Sequence, residues 1–236
     1  MTKHALWAEI ADTLAADLAR GAYRPGDRLP SEAELALRFG VNRHTLRRAL
    51  ARLTAEGLLF PRRGAGVFVA DRPVTDYPLG RRVRFSQAVS AAGQAASRRF
   101  SRVETRSADA EEAQQLNLIP GALVHVVEGV SLADATPLAA FRSVFPAGRF
   151  PGLPERLKET GSITQALRAE GLTDYTRATT RIVAKTAGAA LAARLMLAEG
   201  APILRTRAVN VDSDGQPVEY GTTWFAGDRV ALTVAP

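Results

Sequence analysis

The chain after residue 84 contains an internal repeat, and the offset between its two copies stays between 78 and 80 residues. Each copy has the pattern of a helix, a strand, a second helix and a β-hairpin, in that order. The matched segments are 86–93 and 164–171, 101–103 and 180–182, 108–121 and 187–200, and 124–145 and 203–225. Chance similarity between alanine-rich helices would not reproduce the same turns in the same order. The repeat predicts an α+β domain whose antiparallel sheet is built from both copies.

A different pattern occupies the segment from Leu29 to Val69, which reads as two short helices, a tight turn between them and a hairpin. Ser31 begins a capping box, in which a serine and a glutamate satisfy free backbone donors at a helix start. Gly40 permits the sharp turn, and Asn42 can cap the second helix. The apolar stripe of a further helix runs from Ala5 to Ala19. These elements predict a compact helix-turn-helix followed by a basic hairpin.

The second helix of this unit is basic on its outer side. At about 100° per residue, its apolar residues gather on one side and its basic residues project from the other. Arginine matches both guanine edges and phosphate oxygens, and a helix-turn-helix of this size fits the DNA major groove. A solvated basic face is the plainer alternative. The basic residues that we predict to contact DNA are Arg43, His44, Arg47, Arg48, Arg62 and Arg63.

The segment from Trp7 to Ala70 resembles the winged helix-turn-helix of GntR-type bacterial transcription regulators. The resemblance rests on the motifs at 25–27, 29–32, 34–36, 39–41 and 64–69. It implies DNA contacts at Arg43, Thr45, Arg47 and Gly64. Ser31 and Asn42, at the two helix starts, complete the predicted set. Ala33 departs from the family pattern, because many relatives hold a DNA-contacting arginine there, so the operator sequence is expected to differ.

Residues 84–235 resemble the UTRA effector domain of the HutC branch of these regulators, which binds a small metabolite that is commonly phosphorylated or carboxylated. We therefore predict a winged helix-turn-helix domain over residues 1–72, a linker over 73–83, and a UTRA domain over 84–236 with an antiparallel sheet and an internal repeat. The proposed linker carries two prolines and neither a helical nor an alternating pattern. The fold class is α+β.

An effector pocket is predicted from hydroxyl residues at equivalent helix starts of the two copies. Free backbone N–H groups and the helix dipole favour an anion there, although the hydroxyls could also serve only as caps. Arg84 precedes the first of these helices, and Arg142 lies in a strand of the same domain. The resemblance adds Glu219 and Tyr220 through the motif at 217–220. The predicted effector-binding residues are Arg84, Ser86, Arg142, Ser162, Thr164, Glu219 and Tyr220.

Three departures from the family pattern bear on the effector. Gly129 and Ser131 stand where sugar-phosphate-binding relatives carry arginines, and Phe141 replaces an acidic residue, which disfavours a sugar phosphate. The segments 41–49, 72–73, 76–79 and 84–87 together resemble the phosphonate-metabolism regulators of this branch. The resemblance implies control of genes for phosphonate or phosphate-ester metabolism by a small anionic effector. Control of another catabolic pathway by a carboxylate or a sugar phosphate is the alternative.

The composition limits the remaining functions. The formal net charge of +7 suits a polyanionic partner, and the chain contains no cysteine. Its three histidines do not form a ligand-spaced cluster, so we expect no metal, no cofactor and no catalytic residue. No apolar run approaches the about 18 residues of a membrane span, and no signal peptide is evident. We expect a bacterial cytoplasmic protein without a membrane partner, which associates with the nucleoid when it is bound to its operator.

The leading hypothesis is a homodimeric repressor that presents two recognition helices to an inverted repeat in double-stranded DNA. The UTRA fold is similar to that of chorismate lyase, so a lyase-like enzyme fused to a DNA-binding domain is a remote alternative. Against it, His125 stands alone in an apolar run, and Glu219 could act as a general acid only if burial raised its pKa. The length of the second domain disfavours a purely architectural role on DNA.

Overall fold

A computed structural model of the chain describes residues 6–70, 74–80, 85, 89–90 and 93–234. Its amino-terminal domain is a three-helix unit with a hairpin wing: α1 (Leu6–Ala19), α2 (Glu32–Phe39), α3 (Arg43–Ala55), β1 (Leu59–Arg62) and β2 (Gly66–Val69). The strands of the wing are antiparallel, and Arg28 adds an isolated bridge to Phe68. One core of buried residues, including Leu14, Leu35, Leu46 and Leu53, joins the three helices.

The predicted helix boundaries of this domain follow from local capping. Ser31 and Glu34 form the predicted capping box at the start of α2, and Gly40 ends that helix in the left-handed conformation at φ 62°. Asn42 caps α3, since its side-chain oxygen accepts the N–H of Thr45 at 2.8 Å. The buried Asp17 of α1 accepts from Arg38 of α2 at 2.6 Å, which ties these helices together by a charge-assisted bond.

The carboxyl-terminal domain is built on one antiparallel sheet, whose strand order is β4–β5–β6–β9–β8–β7. The strands are β4 (Ala96–Ser107), β5 (Leu123–Ala133), β6 (Thr136–Pro146), β7 (Thr176–Thr186), β8 (Pro202–Val211) and β9 (Pro217–Ala226). Counted inward from one edge the strands are β4, β5 and β6, and counted inward from the other edge they are β7, β8 and β9. The two halves of the sheet therefore have the same arrangement. The two copies of the repeat therefore meet at the central β6–β9 pair, and the predicted α+β fold with an internal repeat is confirmed.

Short helices cover both faces of this sheet: α4 (Ala110–Gln115), α5 (Leu153–Thr160), α6 (Ile163–Ala169) and α7 (Ala189–Leu195). α5 and α6 pack over Phe141 and Phe145 on one face. The region around α4 and α7 packs against the opposite face, over Val144 and Ala140 respectively. α4 and α7 are shorter than the sequence pattern suggested, because left-handed backbone at Asn117 (φ 53°) and Met196 (φ 52°) ends them early.

A further strand lies within the predicted linker. β3 (Thr75–Pro78) pairs in parallel with β10 (Val230–Thr233), near the end of the chain. Tyr77 of β3 packs in a buried cluster with Phe85 and Phe225, so this segment is packed onto the effector domain. Among the described residues, no helix is long and apolar enough to cross a membrane.

Candidate DNA-binding surface and effector cavity

The outer side of α3 carries the predicted basic residues. Arg43, His44, Arg47 and Arg48 are exposed, while Leu46 and Leu53 on the other side of the helix are fully buried. The helix is therefore fixed to the core by its apolar side and presents its basic side to solvent. This arrangement supports the predicted recognition surface.

Two of these arginines already have partners within the chain. Nε of Arg47 in α3 donates a hydrogen bond of 2.8 Å to Oε2 of Glu32, the first residue of α2. The guanidinium group of Arg48 lies over the Trp7 ring of α1, 4.5 Å from its centroid. Arg48 therefore contributes to the packing of α1 against α3 through a cation–π contact. The polar atoms of Ser31 and Asn42 are occupied at helix starts, so a role on DNA would add to a capping role.

The wing, which follows α3 in the chain, has a basic tip. Arg62, Arg63 and Gly64 are all exposed. The Arg62 guanidinium lies over the stacked rings of Phe60 and Phe68, at 5.1 and 4.8 Å from their centroids, which holds its side chain on the hairpin. Gly64 has φ 76°, a conformation that glycine adopts without strain, and the space where a Cβ would lie is open.

The carboxyl-terminal domain contains a cavity of about 280 Å³ between the sheet and α6. Three of the predicted effector residues line it: Ser162, Thr164 and Glu219. Ser162 caps α6, since its Oγ accepts the N–H of Gln165 at 3.4 Å. Oε2 of Glu219 accepts from Nδ2 of Asn210 at 2.7 Å, an uncharged donor on the neighbouring strand. Hydroxyl groups of Ser131 and Ser143, both buried, add to the polar lining.

Two arginines that sequence reasoning did not select also line the cavity: Arg98 of β4 and Arg177 of β7. Nε and Nη1 of Arg177 are buried without a hydrogen-bond partner in the described part of the chain. The Arg98 guanidinium packs on the rings of Phe141 and Phe85, at 5.3 and 5.8 Å from the centroids. The repeat held a signal for this pair, since the two positions are 79 residues apart and so equivalent.

The hydroxyl group of Tyr77 is close to these charges. Burial raises the pKa of Tyr77, and the positive charges of Arg177 and Arg98, together with a side-chain hydrogen bond from Arg177, oppose that rise. Tyr77 belongs to β3, the strand that immediately follows the undescribed residues 71–73 after the wing domain. The cavity is thus lined in part by the segment that connects the two domains.

Arg142 and Tyr220 do not line this cavity, so the predicted grouping of these two residues with Ser162 is wrong. Side chains alternate along a strand, and Phe141 and Ser143 face the cavity, so Arg142 points to the opposite face. There it pairs with Glu112 and Glu128. The hydroxyl group of Tyr220 donates to Oε1 of Glu111 at 2.8 Å on that same face. Arg84 and Ser86 lie outside the described residues.

Sequence comparisons agree with this geometry. Residues 6–69 match the model of the gntR family of bacterial regulatory proteins, and residues 91–231 match the UTRA domain. The chain is 39% identical to an uncharacterised HTH-type transcriptional regulator of Rhizobium meliloti, over 98% of this chain and 94% of that protein. It is 35% identical to the transcriptional regulator PhnF of Escherichia coli, over 96% and 93% of the two chains. The chain belongs to the GntR family.

The crystal structure of PhnF from Mycobacterium smegmatis has the same fold. It superposes with a TM-score of 0.63 at 30% identity, over 98% of this chain and 99% of that one. This GntR chain therefore combines a winged helix-turn-helix with a UTRA domain, as the sequence resemblance implied. The HutC-type architecture, in which the effector domain follows the DNA-binding domain, is confirmed.

A charged network occupies the face of the UTRA domain opposite the cavity. Glu112, almost fully buried, accepts from two nitrogens of Arg106 at 2.7 and 2.8 Å and from the backbone N–H of Asp109 at 2.9 Å, and it also contacts Arg142. Burial alone would raise the pKa of Glu112, but the hydrogen bonds from Arg106, Asp109 and Arg142 outweigh it and lower the pKa to about 2. Sequence reasoning missed this network, whose Arg142 it had assigned to the effector.

His125, the histidine considered as a catalytic base, is a buried sheet residue of the UTRA domain. Nε2 lies 3.0 Å from the carbonyl oxygen of Phe150, and Nδ1 lies 2.8 Å from Oγ1 of Thr105. Burial lowers the pKa of His125, which favours the neutral ring. Both ring nitrogens are thus engaged in structural hydrogen bonds. In the described part of the chain, no three His, Cys, Asp or Glu side chains cluster as metal ligands would.

Proposed function

We propose that this GntR-family regulator is a homodimeric repressor, without enzymatic activity, that binds an inverted-repeat operator and is released by a small anionic effector. α3 would enter the major groove while the wing tip grips the adjacent backbone. The observation that carries the proposal is the exposed basic side of α3, joined in one chain to a cavity with two arginines. The relatives named PhnF and the resemblance to phosphonate-metabolism regulators favour a phosphonate or phosphate ester as effector.

The contacts of α3 determine which residues the proposal assigns to DNA. Arg43, Arg47 and His44 project from the free side of the helix, and Thr45 follows its cap. Arg62, Arg63 and Gly64 form the wing tip. In this proposal Ser31, Asn42 and Arg48 support the surface mainly through their caps and the Trp7 contact, and touch phosphate groups from that position.

Release of the operator would follow from a change in the spacing of the two recognition helices. A ligand moves such an equilibrium only if it binds one arrangement more tightly than the other. Tyr77 of β3 lines the cavity, and β3 follows the DNA-binding domain in the chain. A ligand that shifts β3 would therefore bind one arrangement of the two domains more tightly than the other. Regulation of another catabolic pathway by a carboxylate or a sugar phosphate would act through the same change in the spacing of the recognition helices.

Fluorescence anisotropy tests the proposal with the full-length chain and labelled duplexes from its own promoter. We expect a preference of at least about 10³-fold over random duplex, as for specific regulators. Arg47→Ala should weaken binding, whereas Arg168→Ala, which removes one exposed charge from the effector domain, should leave it unchanged. Equal affinity for promoter and random DNA would refute the repressor role. Light scattering on the same samples should give the mass of a dimer.

The effector is sought by adding methylphosphonate, glycerol phosphate, acetate and glucose 6-phosphate to the preformed complex. Release by a phosphonate or a phosphate ester supports the leading proposal. Release by acetate or the sugar phosphate alone supports the alternative pathway. Binding to operator that neither these anions nor an amino-bearing phosphonate affects would refute effector control while leaving DNA recognition intact.

A further inference from the structure

At three positions, equivalent residues from the two copies of the repeat both line the effector cavity. Arg98 pairs with Ser131 across β4 and β5, and Ser131 pairs with Ala139 across β5 and β6. In the second copy, Arg177 pairs with Asn210 and Asn210 pairs with Glu219. The offsets are 79, 79 and 80 residues, and all six residues line the cavity. Each half thus contributes one arginine from its edge strand at an equivalent place.

The two arginines are available to a ligand. The guanidinium group of Arg98 lies over the rings of Phe85 and Phe141, and such cation–π contacts do not use its N–H donors as hydrogen bonds do. Arg177 has two buried nitrogens without a hydrogen-bond partner among the described residues. Leaving a buried donor unpaired costs free energy, and an anion in the cavity would remove that cost. The charges of Arg177, Arg98 and Glu219 all act on the hydroxyl group of Tyr77, and all three residues line the cavity.

Glu219 breaks the symmetry. Its counterpart in the first copy is Ala139, so only one half of the cavity carries a carboxylate. The described hydrogen bond of Glu219 comes from the amide of Asn210, which supplies no positive charge. A partly buried carboxylate with an uncharged partner favours a ligand that brings a cation.

We propose that the effector is a zwitterion, with a phosphonate or phosphate monoester group between Arg98 and Arg177 and an ammonium group at Glu219. This inference rests on the proposed effector-controlled function. The charges are complementary, because a phosphorus oxyanion carries about −1.5 to −2 at pH 7 and faces two guanidinium groups. The volume of about 280 Å³ is at the lower end of small-molecule sites, which suits a short aminoalkyl compound.

The test compares two probes that differ only in the amine, 2-aminoethylphosphonate and ethylphosphonate. Isothermal titration of the full-length protein should show the amino compound binding at least about tenfold more tightly. Glu219→Gln keeps the shape of the side chain and its hydrogen bond to Asn210 but removes the charge. It should reduce the preference to less than about threefold, while the affinity for ethylphosphonate should stay equal or rise, because the variant removes a carboxylate that repels the anion. Aminoethyl phosphate, tested in parallel, distinguishes a phosphate ester from a phosphonate as the anionic part.

Matched variants separate the parts of the proposal. Arg177→Gln and Arg98→Gln should each weaken both probes, whereas Arg168→Gln, at an exposed position, should change neither. Unchanged operator affinity of each variant without ligand shows that the variant is folded. Equal binding of the two probes by the wild type, or a preference that survives in Glu219→Gln, would overturn the zwitterion while leaving effector control standing. If neither probe nor any other phosphorus anion binds, both this inference and the proposed effector class fail.

Discussion

Nε of Arg47 on α3 donates a hydrogen bond of 2.8 Å to Oε2 of Glu32 at the start of α2, so a predicted DNA-contacting cation is held by a carboxylate in the free protein. The Arg47 side chain is mostly exposed and that of Glu32 is about one-third exposed, and a solvated pair of this kind stabilises a fold only slightly. A phosphate or base would have to displace Glu32 from Arg47. The carboxylate would also repel the DNA backbone.

Glu32→Gln should therefore strengthen DNA binding, by about two- to fivefold for random duplex, with little change in thermal stability. Fluorescence anisotropy at low and high salt measures the effect, which should shrink as salt screens the repulsion. In an Arg47→Ala background the substitution should lose the part of its effect that comes from freeing Arg47 and keep the part that comes from repulsion between Glu32 and the DNA backbone. A Glu32→Gln protein that binds random DNA more weakly than wild type would contradict this interpretation.

Glu112→Gln should destabilise the UTRA domain by about 2–4 kcal/mol at pH 7, since it removes the charge that holds Arg106 and Arg142 in a buried site. The pKa of Glu112 falls from 4.5 to about 2 on folding, so the carboxylate contributes stability above about pH 4.5. That contribution is lost as the pH falls toward 2. The difference between wild type and variant, measured by urea unfolding, should thus shrink between pH 5 and pH 2.

Glu111→Gln is the matched control, because Glu111 is the adjacent residue but is half-exposed, with Arg207 and Tyr220 as partners. We expect a loss below about 1 kcal/mol. Equal losses of stability in the two variants would show that the stabilisation by Glu112 does not depend on its burial.

The sequence was sufficient for the parts of the fold that local chemistry determines. Ser31, Gly40 and Asn42 mark helix ends through caps that involve neighbouring residues, and their roles could be predicted from spacing alone. The repeat gave the sheet its two halves. The pattern was less reliable at two helix ends. α4 ends at Asn117, a residue type that does signal left-handed backbone but was not used, and α7 ends at Met196, a type that rarely adopts it.

The effector site was harder to predict because it depends on which face of a strand a residue occupies. Arg142 and Phe141 are adjacent in one strand, so their side chains lie on opposite faces of the sheet, and only Phe141 faces the cavity. Arg98 and Arg177 lie about 80 residues apart on opposite edge strands of the sheet, and only the tertiary structure brings them to one cavity. Comparing equivalent positions of the two copies would have selected them, since both are arginines in the same register.

Arg142→Ala and Arg177→Ala should have opposite effects, which separates the structural network from the cavity. Arg142→Ala leaves Glu112 without one of its partners and should cost about 2–3 kcal/mol of stability. Anion affinity of the folded protein should stay within about threefold of wild type. Arg177→Ala should lower anion affinity at least about tenfold with little loss of stability, because its buried nitrogens are unpaired. Calorimetric titration with a phosphonate, beside thermal unfolding, measures both. Loss of binding in Arg142→Ala at unchanged stability would restore the assignment made from sequence.

Gly66→Ala should disturb the wing more than a glycine substitution elsewhere at positive φ. Gly66 has φ 110°, and an added Cβ would lie 2.9 Å from Nε of Arg28, beside the strand bridge to Phe68. Gly21→Ala is the control, since Gly21 has φ 76° and its Cβ would meet no neighbour. Both substitutions should cost about 1 kcal/mol or more through backbone strain, but only Gly66→Ala should weaken operator binding, by about three- to tenfold. Anisotropy titrations below both unfolding transitions measure this difference. Equal operator affinities for the two variants would mean that the wing is not positioned through the contact between Arg28 and Gly66.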